Sequence, residues 1–293
     1  MTRKFLVPFM PICILLFMVG CEQDSKQMFS TELAGIKNQK DLKDVAKSIE
    51  DYLATNPSDS GCIWYGLLGT RALAISRTLD AEAYFMKAVR DYPACPETPN
   101  HLLALSNIYK NYLQWEFVGE AICCVIKDRV EQDLKGEASS CCPSASLPVD
   151  SMLVQLRAKV FDATQNKLDA KAGRNYIALC QVRALLFPED PSSADHLNEA
   201  AKVAKAIQMP LVAVDLYDWI LTDYIQTMYG PKAIFLKAFT YETDLADIEN
   251  ARKFYTQFVK EYPTDEFADD AQLLLQNLGK DPEELIRQFE KSK

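Results

Sequence analysis

The chain has 293 residues, with 32 basic and 41 acidic side chains, only two histidines and nine cysteines. That length suits one elongated domain or two small ones, and it can bury a core without covalent staples. A net charge of −9 repels phosphate backbones, which excludes nucleic acid as the expected partner.

Met1 to Cys21 opens with Arg3 and Lys4, continues with an apolar run from Phe5 to Val19, and closes with Gly20-Cys21. The run is about 15 residues long and contains Pro8 and Pro11, short of the roughly 20 apolar residues that span a bilayer. It reads as a cleaved export signal and not as a permanent transmembrane helix. The segment Phe17-Met18-Val19-Gly20-Cys21 resembles the bacterial lipobox, with Met18 where that motif usually carries Leu. The resemblance implies that the Cys21 thiol is diacylated, that residues 1–20 are removed before it, and that the new amino terminus is acylated too. Two or three acyl chains, at about 0.8 kcal/mol per buried methylene, anchor durably where one would not. Loss of Arg3 and Lys4 leaves 30 basic against 41 acidic residues, a balance of −11. The lipid, and not charge, is therefore expected to make the membrane contact.

With Cys13 in the signal and Cys21 acylated, seven cysteines remain: Cys62, Cys95, Cys123, Cys124, Cys141, Cys142 and Cys180. That is an odd number with two adjacent pairs, unlike the C-x2-4-C spacing of zinc sites, so no metal is expected. Cys123, Cys124 and Cys180 lie in apolar helical stretches, where a free cysteine acts as a small hydrophobe. Cys141-Cys142 falls in an expected loop of an oxidising compartment, and a bridge to another loop cysteine is open, its partner undetermined.

Residues 21–40 read as the lipidated cysteine and its tether, with the polar stretch Glu22 to Gln27 standing off the membrane. From Asp41 onward apolar residues recur at three and four positions, the helical period. Asp41 to Asn56, stopped by Pro57, is a lone second helix with Val45, Ile49 and Tyr52 on one face. Residues 41–134 are predicted as N-terminal helical repeats. The small, polar, proline-punctuated stretch 135–148 reads as a flexible loop, and 149–293 as C-terminal repeats ending in capping helices. The cap is Ala268 to Leu278, a stop at Gly279, and a helix begun by Asp281-Pro282.

Cys62 to Cys95 places Tyr65, Leu68, Gly69, Ala72, Ala81, Phe85, Ala88 and Pro93 fourth, seventh, eighth, eleventh, twentieth, twenty-fourth, twenty-seventh and thirty-second. Lys232 to Asp265 repeats this with Phe235, Ala238, Ala251, Tyr255, Phe258 and Pro263, departing at Phe239 and Glu242. Ala194 to Thr227 fits with Leu197, Ala200, Ala201, Ala204, Ala213, Tyr217 and Ile220, without the terminal proline. Weaker pairs occupy Leu102 to Leu134 and Val149 to Phe187. The spacing resembles the tetratricopeptide repeat, a helix pair of about 34 residues. Small residues let two helices approach, large ones fill between them, and the proline stops the second helix. The expected fold is all-α, a tetratricopeptide-like helical-repeat solenoid behind a cleaved lipoprotein signal peptide.

No catalytic constellation, phosphate loop or nucleophile elbow is visible. His101 and His196 sit near helix starts without a spaced companion and are expected at the surface or at helix ends. Trp64, Trp115 and Trp219 fall in core patterns, and Asp269-Asp270 on a solvated face. In stacked repeats the first helices line a surface on which peptides or partner helices dock. Asn198, Lys202 and Lys205 in one unit and Leu236, Thr240 and Thr243 in the next are the candidate partner-binding residues, the two lysines receiving a carboxylate-bearing segment. A lipobox followed by such units resembles two bacterial groups, the assembly-complex lipoprotein that helps insert outer-membrane β-barrels and the periplasmic coordinator of the Tol-Pal system. The likeness is clearest over Lys232 to Phe289, with Phe254-Tyr255 through Tyr262-Pro263 and the following Ala-Asp-Asp-Ala-Gln. It implies a cofactor-free, non-catalytic scaffold for envelope proteins, lipid-anchored at the outer membrane and facing the periplasm. The rival readings are a nutrient- or glycan-capture lipoprotein and a peptidoglycan-modifying enzyme.

Overall fold

A computed structural model describes residues 29–56, 60–127, 132–162 and 167–280. The signal, Cys21 and the helix expected from Asp281-Pro282 lie outside the described residues. Within them the chain is almost wholly helical: α1 (29–35), α2 (Gln39–Thr55), α3 (Gly61–Ala74), α4 (Thr78–Asp91), α5 (Thr98–Asn107) and a π-helical turn (Ile108–Tyr112). There follow α6 (Glu116–Ile126), α7 (Gln132–Cys141), α8 (Val149–Val160), α9 (Ala170–Leu186), α10 (Ser192–Ala206), α11 (Pro210–Asp223), α12 (Tyr229–Thr243), α13 (Ile248–Glu261) and α14 (Ala268–Asn277). Between α8 and α9, β1 (Phe161–Asp162) and β2 (Lys167–Leu168) pair antiparallel with Phe161 opposite Leu168. No helix among the described residues is long and apolar enough to cross a membrane. Two compact units divide the chain: the first ends at Gln114 and takes in Gln132–Leu134, and the second holds Trp115–Glu131 and the chain from Lys135 onward.

In the first unit the folded part begins earlier than expected. Phe29, Leu33 and Ile36 are buried, so the later part of the supposed tether belongs to the core. Asn38 caps α2 by accepting from the Lys40 and Asp41 amides, and Leu42, Ala46 and Ile49 form the buried stripe. Phe29, Tyr52 and Trp64 meet edge to face with ring centroids 5.2–5.7 Å apart. In α3 and α4 the predicted residues Tyr65, Leu68, Ala72, Ala81, Phe85 and Ala88 are all buried. Gly69 is there for closeness: a Cβ on it would stand 2.7 Å from the Phe85 ring. Helix pairing here needs glycine at that place.

The repetition is visible in the backbone itself. Ser76, Gln208 and Ala246 have φ of 60°, 62° and 52°, and each is fifteenth in its 34-residue unit. Left-handed backbone is costly for such residues, so its recurrence marks one turn used three times. Two of these turns have the same Schellman bonds: Arg77 N–H to Ala72 C=O and Met209 N–H to Ala204 C=O, both 2.8 Å. At Ala246 the bond reaches one residue further back, from Asp247 N–H to Tyr241 C=O. The links between units recur too. Tyr92, Phe187, Tyr224 and Tyr262 carbonyls accept from Cys95, Asp190, Thr227 and Asp265 at 2.9–3.2 Å. Those four in turn accept from Thr98, Ser193, Gly230 and Ala268. Where proline follows, ψ is 59° at Tyr92, 62° at Phe187 and 56° at Tyr262. At Tyr224, followed by Ile225, ψ is only 21°. The proline ring drives the residue before it away from helical ψ.

The same logic explains why Leu102 to Leu134 read as a weak repeat. Gln114 has φ 58° and sits fifteenth if counted from Asn100, whereas Leu102, Leu105 and Ser106 fall fourth, seventh and eighth only if counted from Pro99. One residue is inserted between them. The π-helical turn absorbs it, with Leu113 N–H bonded to Ile108 C=O at 3.0 Å.

The second unit packs its helices in series, α8 on α9, then α10, α11, α12, α13 and α14, with α6 also against α9. The expected loop 135–148 is helical through Cys141, and disulfides explain why. Cys123 bonds Cys141 and Cys124 bonds Cys142, with Cα atoms 5.8 and 4.9 Å apart. The expectation of free cysteines at 123 and 124 is therefore corrected; in α6 both are stapled to the segment whose buried apolar residue is Ala138. In the first unit Cys62 bonds Cys95, Cα atoms 6.5 Å apart, joining the first and thirty-fourth places of one repeat. Cys180 is free and buried, as a small hydrophobe.

Candidate interaction surface

The first helices α10 and α12 carry the residues expected to face a partner, and packing decides which of them do. These helices touch each other directly, so the places that look outward in a single hairpin turn into a seam between hairpins. Asn198 and Thr240 are 2% and 0% exposed, and the Thr240 hydroxyl donates to the Leu236 carbonyl at 2.8 Å. Neither is available to a partner, which corrects their assignment. Leu236 is half-buried against the core of α12 and α13. Lys205 is half-buried, pairs with Asp244 at 3.0 Å, and lies 4.9 Å from the centre of the Phe239 ring. Lys202 keeps 49% of its side chain exposed, paired with Glu199 on its own helix. Of the expected set, Lys202 is the residue left presented to solvent, and Thr243 is exposed at the end of α12.

The seam is closed at both ends. At one end Tyr229 Oη donates to Asp195 at 2.6 Å, a bond that pushes the phenol up to about 12. At the other end stands the Lys205–Asp244 pair. On the far side of α12, Lys237 is buried, pairs with Asp218 of α11, and sits 4.0 Å from the centre of the Phe254 ring on α13. Of the two lysines expected to await an acidic partner, Lys205 is spent on joining α10 to the end of α12, and Lys202 stays exposed.

A second polar node was not foreseen. Arg183 occupies the place that is Ala88 in the first-unit repeat, and it is buried. Its Nε donates to Asp150 at 2.8 Å, Nη1 to Ser193 at 2.9 Å, and Nη2 to Asp190 and Ser192 at 2.7 and 2.9 Å. Burial alone would lower its affinity for the proton, but the hydrogen bonds from Arg183 to Asp150 and Asp190 outweigh that and hold the charge. Asp190 falls to about 2, chiefly through the Arg183 hydrogen bond and then through Ser192. One guanidinium thus ties the start of α8 to the end of α9 and the start of α10. The signal was present in the sequence: an arginine at the place of Ala88, five residues before Pro188.

The histidines differ from expectation in one case. His101 is buried, its ring 5.7 Å from that of Phe85, and a Cβ on Gly66 would stand 2.2 Å from its Cε1. Burial lowers its pKa, so it is a neutral core plug and not a surface group. His196 is half-buried, 3.9 Å from Asp150, and is lowered by burial and by the Arg183 charge. Trp64 and Trp219 are buried as expected, and Asp269 and Asp270 are exposed. No group of three or more His, Cys, Asp or Glu among the described residues is placed to hold a metal ion.

Neither a protein-family model nor a curated protein matches this chain.

Proposed function

We propose that the protein is a non-catalytic, lipid-anchored scaffold of the bacterial cell envelope, built from tetratricopeptide-like repeats and holding other envelope proteins. One observation carries the reading: the left-handed fifteenth residue and the bonded turn at the thirty-fourth recur through hairpins whose side chains differ. Such repeated hairpins present helix surfaces for protein contact. Three disulfides support an oxidising compartment, in agreement with the export signal and lipobox. A role in outer-membrane protein assembly or in envelope integrity is the form of this reading closest to the two bacterial groups that the sequence resembles.

Labelling with a palmitate analogue tests the anchor: Cys21→Ser should abolish incorporation, and undiminished labelling refutes the lipid. Affinity capture from solubilised envelope tests the scaffold, with Lys202→Glu as the surface probe. Lys202 is exposed, whereas Lys205→Glu would also break the bond to Asp244. Expected are stoichiometric envelope proteins whose capture falls with Lys202→Glu and with salt. Recovery of sugars alone would instead support nutrient capture.

A further inference from the structure

In the second unit one connection departs from the shared turn. Instead of a few residues around a left-handed fifteenth place, α8 and α9 are joined through the β1–β2 pair, which the packing of α8 on α9 does not need. The Asp169 amide donates to the Val160 carbonyl at 2.9 Å, so the end of α8 and the start of α9 lie side by side. Phe161 and Leu168 face each other in register, yet they remain 45% and 40% exposed. Val154, on α8 seven residues before Phe161, is 71% exposed. Two large apolar groups at the end of the α8–α9 hairpin, and a third midway along α8, are left in water.

Their surroundings are basic in an acidic protein. Between Gln155 and Asn175 the chain carries Arg157, Lys159, Lys167, Lys171 and Arg174 against only Asp162 and Asp169, while the whole chain is −9. The five cations are exposed. Asp169 is turned to the start of α9, accepting from the Lys171 and Ala172 amides at 2.8 and 3.0 Å. Lys159 lies 5.5 Å from the Phe117 ring centre and Arg157 5.9 Å from that of Tyr176, contacts that steer their stems. Lys171 and Arg174 stand at the beginning of α9, whose first turn has no acidic residue. Cations there oppose the helix dipole, so helix stability does not explain them.

We propose that Val154, Phe161 and Leu168, with Arg157, Lys159, Lys171 and Arg174 around them, form a docking face for an anionic lipid surface. The apolar groups enter the headgroup boundary and the cations meet lipid phosphates, a combination that an acidic peptide would not reward at its apolar centre. This goes beyond the acyl anchor and does not depend on it. The chain-wide charge that argues against headgroup contact conceals a local patch of the opposite sign.

The test uses the chain from residue 21 with Cys21→Ser, so that no acyl group contributes. Co-sedimentation is measured with vesicles of phosphatidylglycerol and phosphatidylethanolamine and with vesicles of phosphatidylcholine alone. Expected is binding to the anionic vesicles that weakens with salt, and little to the zwitterionic ones. The double variant Phe161→Ser with Leu168→Ser should lower partitioning about tenfold. Lys171→Glu with Arg174→Glu should lower it by a similar factor and flatten the salt dependence, both variants keeping wild-type circular dichroism. No binding to anionic vesicles, or binding unchanged in both variants, overturns the proposal. So does concentration-dependent self-association in sedimentation equilibrium that Phe161→Ser abolishes, since it would assign the face to a second copy. Labelling of wild-type Cys21 reads the anchor separately.

Discussion

The hairpins α3–α4 and α12–α13 share a spacing and a left-handed fifteenth residue but fill the space between their helices by different means. In α3–α4 the eighth place is Gly69 and the eleventh Ala72, so Phe85 lies flat over bare backbone. The thirty-fourth residue, Cys95, is then tied covalently to the first. In α12–α13 the eighth place is Phe239 and the eleventh Glu242. There Tyr255 stands at the place of Phe85, and its hydroxyl donates to Glu242 at 2.7 Å. Phe235 gathers the Phe258 and Phe267 rings at centroid distances of 5.7 and 5.0 Å, and Asp265, in place of Cys95, accepts from the Phe267 amide. The fifteenth residue is left-handed in both, while the side chains at the eighth, eleventh and twenty-fourth places all differ. The α10–α11 hairpin takes a third combination at the same three places, Ala201, Ala204 and Tyr217, all buried.

The largest expected effect breaks the covalent closure. Cys62→Ala with Cys95→Ala should cost about 3–4 kcal/mol by the chain-entropy estimate for a loop of this size. Urea unfolding of the two proteins measures it, and an unchanged midpoint would show that the bridge is dispensable. Overpacking comes next. Gly69→Val should cost about 1–3 kcal/mol because it crowds the Phe85 ring, whereas Phe239→Leu at the matching place, a closer match in volume, should cost less than about 1.5 kcal/mol. Similar losses at both sites would contradict the distinction between bare and filled eighth places.

Exchanging the twenty-fourth residue sharpens the comparison. Tyr255→Phe removes the bond to Glu242 and should cost about 1 kcal/mol. Phe85→Tyr should also destabilise, by a comparable amount or somewhat more, because its hydroxyl would find Ala72 where Tyr255 finds Glu242. Thermal melts of the two single variants decide this, and a stabilising Phe85→Tyr would overturn it. The smallest effect lies in the Arg183 node. Asp190 is held at about 2, down from 3.8, so its contribution is complete above pH 3.8 and is lost as pH falls toward 2. The stability difference between wild type and Asp190→Asn should therefore shrink over that window in acid titrations followed by circular dichroism. A constant difference down to pH 2 would mean that the carboxylate is not what Arg183 holds.

Within each hairpin the sequence determined nearly everything, because the relevant distances are short along the chain. A small residue at the twentieth place and an aromatic residue at the stop, Tyr92, Tyr224 and Tyr262, recur in all three hairpins because two helices pack across one turn. Tyr65, Ala81, Ala88, Ala213 and Ala251 are buried accordingly. The repeat near Leu102 was blurred because a period presumes a constant residue count, and the π-helical turn at Ile108–Tyr112 adds one residue without changing the fold. Between hairpins, tertiary structure decided. Asn198 and Thr240 look exposed in any isolated helix and are buried once the hairpins stack. The pairings of Cys123 and Cys124 depend on which segment comes within bonding distance of α6, and Arg183 finds Asp150 across 33 positions of chain. Local periodicity records the face a helix must bury; it does not record which neighbour arrives to bury the other face.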